Sequence, residues 1–140
     1  PAVPKIIGVQ AQTSNALCRA LQSGRFTAEP ASTVADSICV DVPRNGLHAL
    51  TQIKNFDGEL VSVSDAEIIQ AQARLSATSG LFTEPAGAAA FAGFLKISPR
   101  LEPTATVVVL ATGNGLKDSV SAQLGIKMPE RLITSVNDIL

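Results

Sequence analysis

A chain of 140 residues is long enough for one domain with its own core. Apolar residues make up 46% of it and charged residues 16%, a balance tilted towards burial that excludes a disordered chain. A formal net charge of −1, no run of Lys or Arg, and no Trp or Tyr leave neither a field for nucleic acid or anionic lipid nor a platform for stacking bases.

No stretch approaches the ~20 consecutive apolar residues of a membrane-spanning helix, and no signal peptide is visible. Cys18 and Cys39 lack CxxC spacing and the neighbours a zinc site needs, so no metal site is expected. They read as reduced thiols of a cytoplasmic protein.

In chain order, Lys5 to Val9 is a short β-branched run and predicts a buried strand. Ser14 to Leu21 reads as helical, and Gly24 and Pro30 mark a loop. Thr33 to Val40 is ambiguous between strand and helix. Pro43 opens a helix to about Asn55, with Leu47, Leu50 and Ile53 at helical spacing. His48 stands alone on that helix, without a Ser or Cys partner, and reads as solvent-facing.

The clearest unit follows. Gly58 to Val63 predicts a strand running into a helix start. Ser64-Asp65-Ala66-Glu67 has the form of a capping box, and Val63 and Ile68 stand where a hydrophobic staple would close. Ile68, Ala71 and Leu75 continue one apolar face, and Gly80 ends the helix. Glu84-Pro85 starts another helix, whose Ala86 to Ala90 are nearly all small and imply close packing. Thr106 to Leu110 is continuous and apolar, and predicts the best strand of the chain. Pro129 to Leu140 predicts a terminal helix. The alternation of strand and helix argues for a three-layer α/β domain with a mostly parallel sheet.

Ligands of open parallel sheets bind beyond the carboxyl ends of the strands. Thr112 stands at such an end, and Gly113 and Gly115 permit close backbone approach. The segment is neither a dinucleotide fingerprint, which needs a third glycine, nor a Walker loop, because Lys117 is not followed by Ser or Thr in the required frame. Taken alone it is a ligand-site hint or an ordinary turn.

Ala111-Thr112-Gly113-Asn114-Gly115-Leu116-Lys117-Asp118 resembles the C-terminal signature of the threonine synthases. Residues 6–11, 33–38, 61–68 and 82–89 resemble four further blocks of that family in the same order, with Ser37 where glycine is frequent. The later blocks are similar in the related dehydratases. The resemblance implies a single α/β domain over residues 1–140, the C-terminal portion of the large domain of a fold type II pyridoxal-phosphate enzyme. It implies that the Thr112 hydroxyl hydrogen-bonds the pyridine nitrogen of pyridoxal 5'-phosphate. Glu84 and Ala35 come to the cofactor site by the same analogy, although a carboxylate at a helix start is also explained by the helix dipole.

The family's Schiff-base lysine and Gly/Asn-rich phosphate loop precede the strand at Ile6, and are expected outside this chain. No catalytic residue is therefore assigned within it, and Lys117 is not that lysine. The complete enzyme would take O-phospho-L-homoserine and water to L-threonine and phosphate. The chain alone would be inactive, and is expected to form a homo-oligomer or depend on its N-terminal part. A threonine/serine dehydratase-type enzyme and a non-catalytic binding or assembly fragment remain the alternatives.

Overall fold

The fold is given by a computed structural model, which describes residues 3–127 and 133–138. Strand β1 (Ile7–Ala11) pairs in parallel with β2 (Glu59–Val63), from Ile7 opposite Glu59 to Ala11 opposite Val63. A parallel pair needs a crossover, and residues 12–58 supply it with α1 (Ala16–Ser23) and α2 (Gly46–Asn55). Helices α3 (Asp65–Ser79) and α4 (Pro85–Ile97) follow and pack on one another, and α4 also lies on both strands. A short α5 (Ser119–Gln123) contacts α3. The α/β class is as expected. No helix among the described residues is long and apolar enough to cross a membrane.

The local signals of α3 are all used. Ser64 Oγ accepts from the Glu67 N–H at 3.2 Å, and Glu67 Oε2 accepts from the Ser64 N–H at 2.6 Å. Val63 and Ile68 are both fully buried beside this cap. Gly80 closes the helix in the left-handed region at φ 73°. On α4, Pro85 occupies the first turn and Gly87, Ala88, Ala89, Ala92 and Gly93 are buried. The small face serves close approach: a Cβ on Gly93 would lie 2.3 Å from Val9 Cγ2 of β1. The resulting core joins Ala11, Val61 and Val63 of the sheet to Ile68 and Ala71 of α3 and to Ala89, Ala92 and Ile97 of α4.

Four expectations are corrected. The first strand lies two residues further on, ending at Ala11 where pairing with β2 ends. Residues 33–40 form neither strand nor α-helix, but a loop with one 3-10 turn at Asp36–Ile38. In α2 the buried face is Gly46, Leu50 and Ile53, while Leu47 is 76% exposed, one position off that stripe. Thr106 to Leu110 belongs to no sheet: among the described residues it has no regular secondary structure and is largely exposed. Continuous apolar sequence suits a strand covered on both faces, and neither β1 nor β2 pairs with it. Residues 129–132 and 139–140 of the predicted terminal helix fall outside the described residues. Of the rest, Val136–Asp138 forms a single 3-10 turn.

Candidate functional site

The two parallel strands end at Ala11 and Val63, and the segments leaving them hold the 33–40 loop from two sides. After β1, Ser14 is buried. Its Oγ donates to the Ile38 carbonyl at 3.0 Å and accepts from the Val40 N–H at 3.0 Å. After β2, the Asp65 carboxylate takes the Val34 N–H at 3.1 Å and the Thr33 hydroxyl. The Thr33 hydroxyl oxygen in turn accepts from the Ala35 N–H at 3.2 Å. Ala35 itself is 0% exposed and joins the central core.

From this loop Ser37 reaches the N-terminus of α4. Its Oγ lies 3.3 Å from each oxygen of Glu84, and one hydroxyl proton serves the pair. Glu84 is the residue before the first turn of α4, yet its side chain makes no capping hydrogen bond. It is 7% exposed and turns towards the loops. Lys117 Nζ meets Glu84 Oε2 at 2.8 Å. An acceptor-only carboxylate in so covered a place needs such donors.

The 112–118 segment is tied to the same helix start. The Glu84 N–H donates to the Gly113 carbonyl at 2.9 Å, and the Gly115 N–H donates to the Phe82 carbonyl at 3.0 Å. These bonds flank an antiparallel bridge between Thr83 and Asn114. Asn114 Oδ1 caps the following 3-10 turn at the Leu116 N–H, 2.9 Å away. Asp118 then caps α5 through Ser121, whose hydrogen bonds hold the Asp118 carboxyl below its ordinary value. The Thr112 side chain is exposed, and its hydroxyl has no hydrogen-bond partner among the described residues.

Of the three residues singled out in the sequence, two are neighbours: Thr112 precedes Gly113, and the Glu84 carboxylate lies against Gly113. Ala35 is buried in the central core, two residues along the chain from Ser37. The sequence reading missed Ser14, Asp65 and the pairing of Lys117 with Glu84. Asp65 was hidden by its part in the capping motif. Ser37 carried a signal, since it is the residue that departs from the family pattern. Lys5 and Lys96 pair with Glu59 at 3.7 Å and Glu67 at 3.2 Å.

Comparison with known proteins gives this geometry a family. Residues 1–113 match the family model described as pyridoxal-phosphate dependent enzyme. The threonine synthase of Synechocystis sp. is 39% identical over 116 residues, covering 83% of this chain and 29% of that protein. The structure of threonine synthase from Escherichia coli superposes with a TM-score of 0.65 at 22% identity, over 91% of this chain and 31% of that one, a likeness of fold. A fungal L-serine ammonia-lyase from Rhizomucor miehei gives a TM-score of 0.62 at 27% identity, over 79% of this chain and 36% of that one. The chain therefore spans under a third of the length of the Synechocystis relative. With more than half of its residues matched and the fold in agreement, the chain belongs to the pyridoxal-phosphate dependent enzyme family.

Proposed function

We propose that this chain is the C-terminal part of a threonine synthase and forms one wall of its pyridoxal-phosphate site. The complete enzyme converts O-phospho-L-homoserine and water to L-threonine and phosphate. The observation that carries the reading is the Thr112 hydroxyl, without a hydrogen-bond partner among the described residues, on a turn fastened to the start of α4. The sequence of that turn, Thr112 to Asp118, and the 39% identity to a threonine synthase support it.

The donor set suits the cofactor. A pyridine nitrogen accepts a hydrogen bond from a neutral hydroxyl, and the nearest buried carboxylate, Glu84, is already engaged by Ser37 and Lys117. When bound, pyridoxal phosphate supplies an electron sink for carbanion chemistry. Thr112 would hold the ring nitrogen through its neutral hydroxyl, a contact that needs no proton on that nitrogen. Glu84 holds the turn that bears Thr112, and buried Ala35 fixes the loop behind it. The lysine and phosphate loop come from parts of the protein outside these residues, so the chain alone does not turn over substrate. Assembly with that part, or with further copies, completes the site.

The test is the full-length protein bearing this segment. With O-phospho-L-homoserine it is expected to release phosphate and form L-threonine in equal amounts. Deamination of L-threonine or L-serine, with no reaction of O-phospho-L-homoserine, would assign it to the dehydratases instead.

A further inference from the structure

We propose that Lys117 and Ser37 are positioning residues, which clamp the Glu84 carboxylate and through it set the place of Thr112. This inference rests on the cofactor reading above and deepens it.

Three segments far apart in sequence converge on one carboxylate. Ser37 comes from the loop beyond the sheet, Glu84 from the start of α4, and Lys117 from the 3-10 turn Gly115–Asp118. The carboxylate lies directly against the backbone next to Thr112, because a Cβ on Gly113 would fall 1.9 Å from Oε1 and 2.4 Å from Cδ. The same residue holds Gly113 through its main chain, N–H to carbonyl, at 2.9 Å. Displacing the carboxylate therefore displaces the turn.

Lys117 closes a ring. Its Nζ reaches back to Glu84 from beyond the glycines, so the turn is tied to the segment that leads into α4, at Gly113 and Lys117 to Glu84 and at Gly115 to Phe82. The lysine is exposed while the carboxylate is covered. Removing the lysine leaves a covered charge with Ser37 as its remaining side-chain donor, and the carboxylate must then move or take in water. A shift of about 1 Å at the turn is enough to spoil a hydrogen bond from the Thr112 hydroxyl to a ring nitrogen. Neither Lys117 nor Ser37 needs to touch the cofactor for this to hold.

Pyridoxal phosphate is titrated into the full-length protein and followed by the absorbance of the bound cofactor across pH. The variants are Lys117→Met, Lys117→Arg and Ser37→Ala, each with a melting curve of the cofactor-free form. Lys117→Met is expected to raise the Kd about tenfold, and Ser37→Ala about threefold. Lys117→Arg is expected to restore binding to within about threefold of the parent, with melting temperatures of the cofactor-free proteins unchanged. The pH profile of the bound absorbance should shift in Lys117→Met and return in Lys117→Arg. Parent-like binding by Lys117→Met and Ser37→Ala overturns the clamp, as does an arginine variant no better than the methionine one. A loss of binding that merely follows a fall in melting temperature also overturns it. If the parent takes up no pyridoxal phosphate, the functional reading falls and the clamp with it, which separates the two failures.

Discussion

A single methyl group has no room at Gly113. A Cβ there would meet Oε1, Cδ and Cγ of Glu84 within 3 Å, and that carboxylate is held by Ser37 and Lys117. Gly113→Ala is therefore expected to lower stability by about 1–3 kcal/mol, read as a lower urea midpoint at unchanged slope. A change within about 0.5 kcal/mol would mean that the carboxylate does not lie against the turn. Thr112 next door is the opposite case. Its side chain is exposed and has no hydrogen-bond partner among the described residues, so Thr112→Val should change stability by less than about 0.5 kcal/mol. In the full-length protein the same substitution should weaken pyridoxal-phosphate binding, because it keeps the shape and removes the hydroxyl. Two neighbouring residues with opposite signatures separate a packing position from a ligand position.

At the scale of elements, α3 depends on its cap. Ser64→Ala removes one side of the box and should lower stability by about 1 kcal/mol, measured by urea denaturation. Glu67 adds a pH dependence. The Ser64 N–H lowers its pKa from the ordinary 4.5, against partial burial, and Lys96 acts in the same direction as the Ser64 bond. The folded state thus binds the proton less tightly than the unfolded state. Its contribution is complete above about pH 4.5 and is lost as pH falls through the lowered folded value. The stability gap between the parent and Glu67→Gln should accordingly shrink between pH 7 and pH 3. A gap of constant size would show that the carboxylate charge plays no part. These elements were legible because their signals are local: Ser64 and Glu67 are three residues apart, and Gly80 and Pro85 mark ends by their own backbone chemistry. Leu47 misled because it lies next to the buried stripe of α2, and neighbouring positions share helical spacing. The Ser37–Glu84 contact joins residues 47 apart, and only the folded chain brings them together. The sequence thus offered Ala35, Glu84 and Thr112 as separate candidates, while the contacts of Glu84 with Ser37 and Lys117 were not legible in it.

At the scale of the whole molecule, the run from Thr106 to Leu110 sets the strongest demand. Its sequence is that of a strand buried on both faces, yet Val108 is 81% exposed and Leu110 72% exposed. Leu116, Val120, Leu124 and Ile126 extend the exposed apolar surface along the chain that follows. An exposed apolar segment outside any sheet is a template for another strand. The chain alone should therefore self-associate as its concentration rises, and sedimentation velocity should show the shift. Val108→Lys with Leu110→Lys should move the chain back towards monomer, because charge on such an edge blocks pairing. In the full-length protein the sign should reverse. There the run is proposed to lie within the sheet, and two unpaired lysines buried in it would lower stability by several kcal/mol. A monomeric parent chain at high concentration, together with a full-length variant as stable as its parent, would show that the run is covered by neither route. An opposite response of the two forms would tie the exposed apolar run to the remainder of the proposed full-length enzyme.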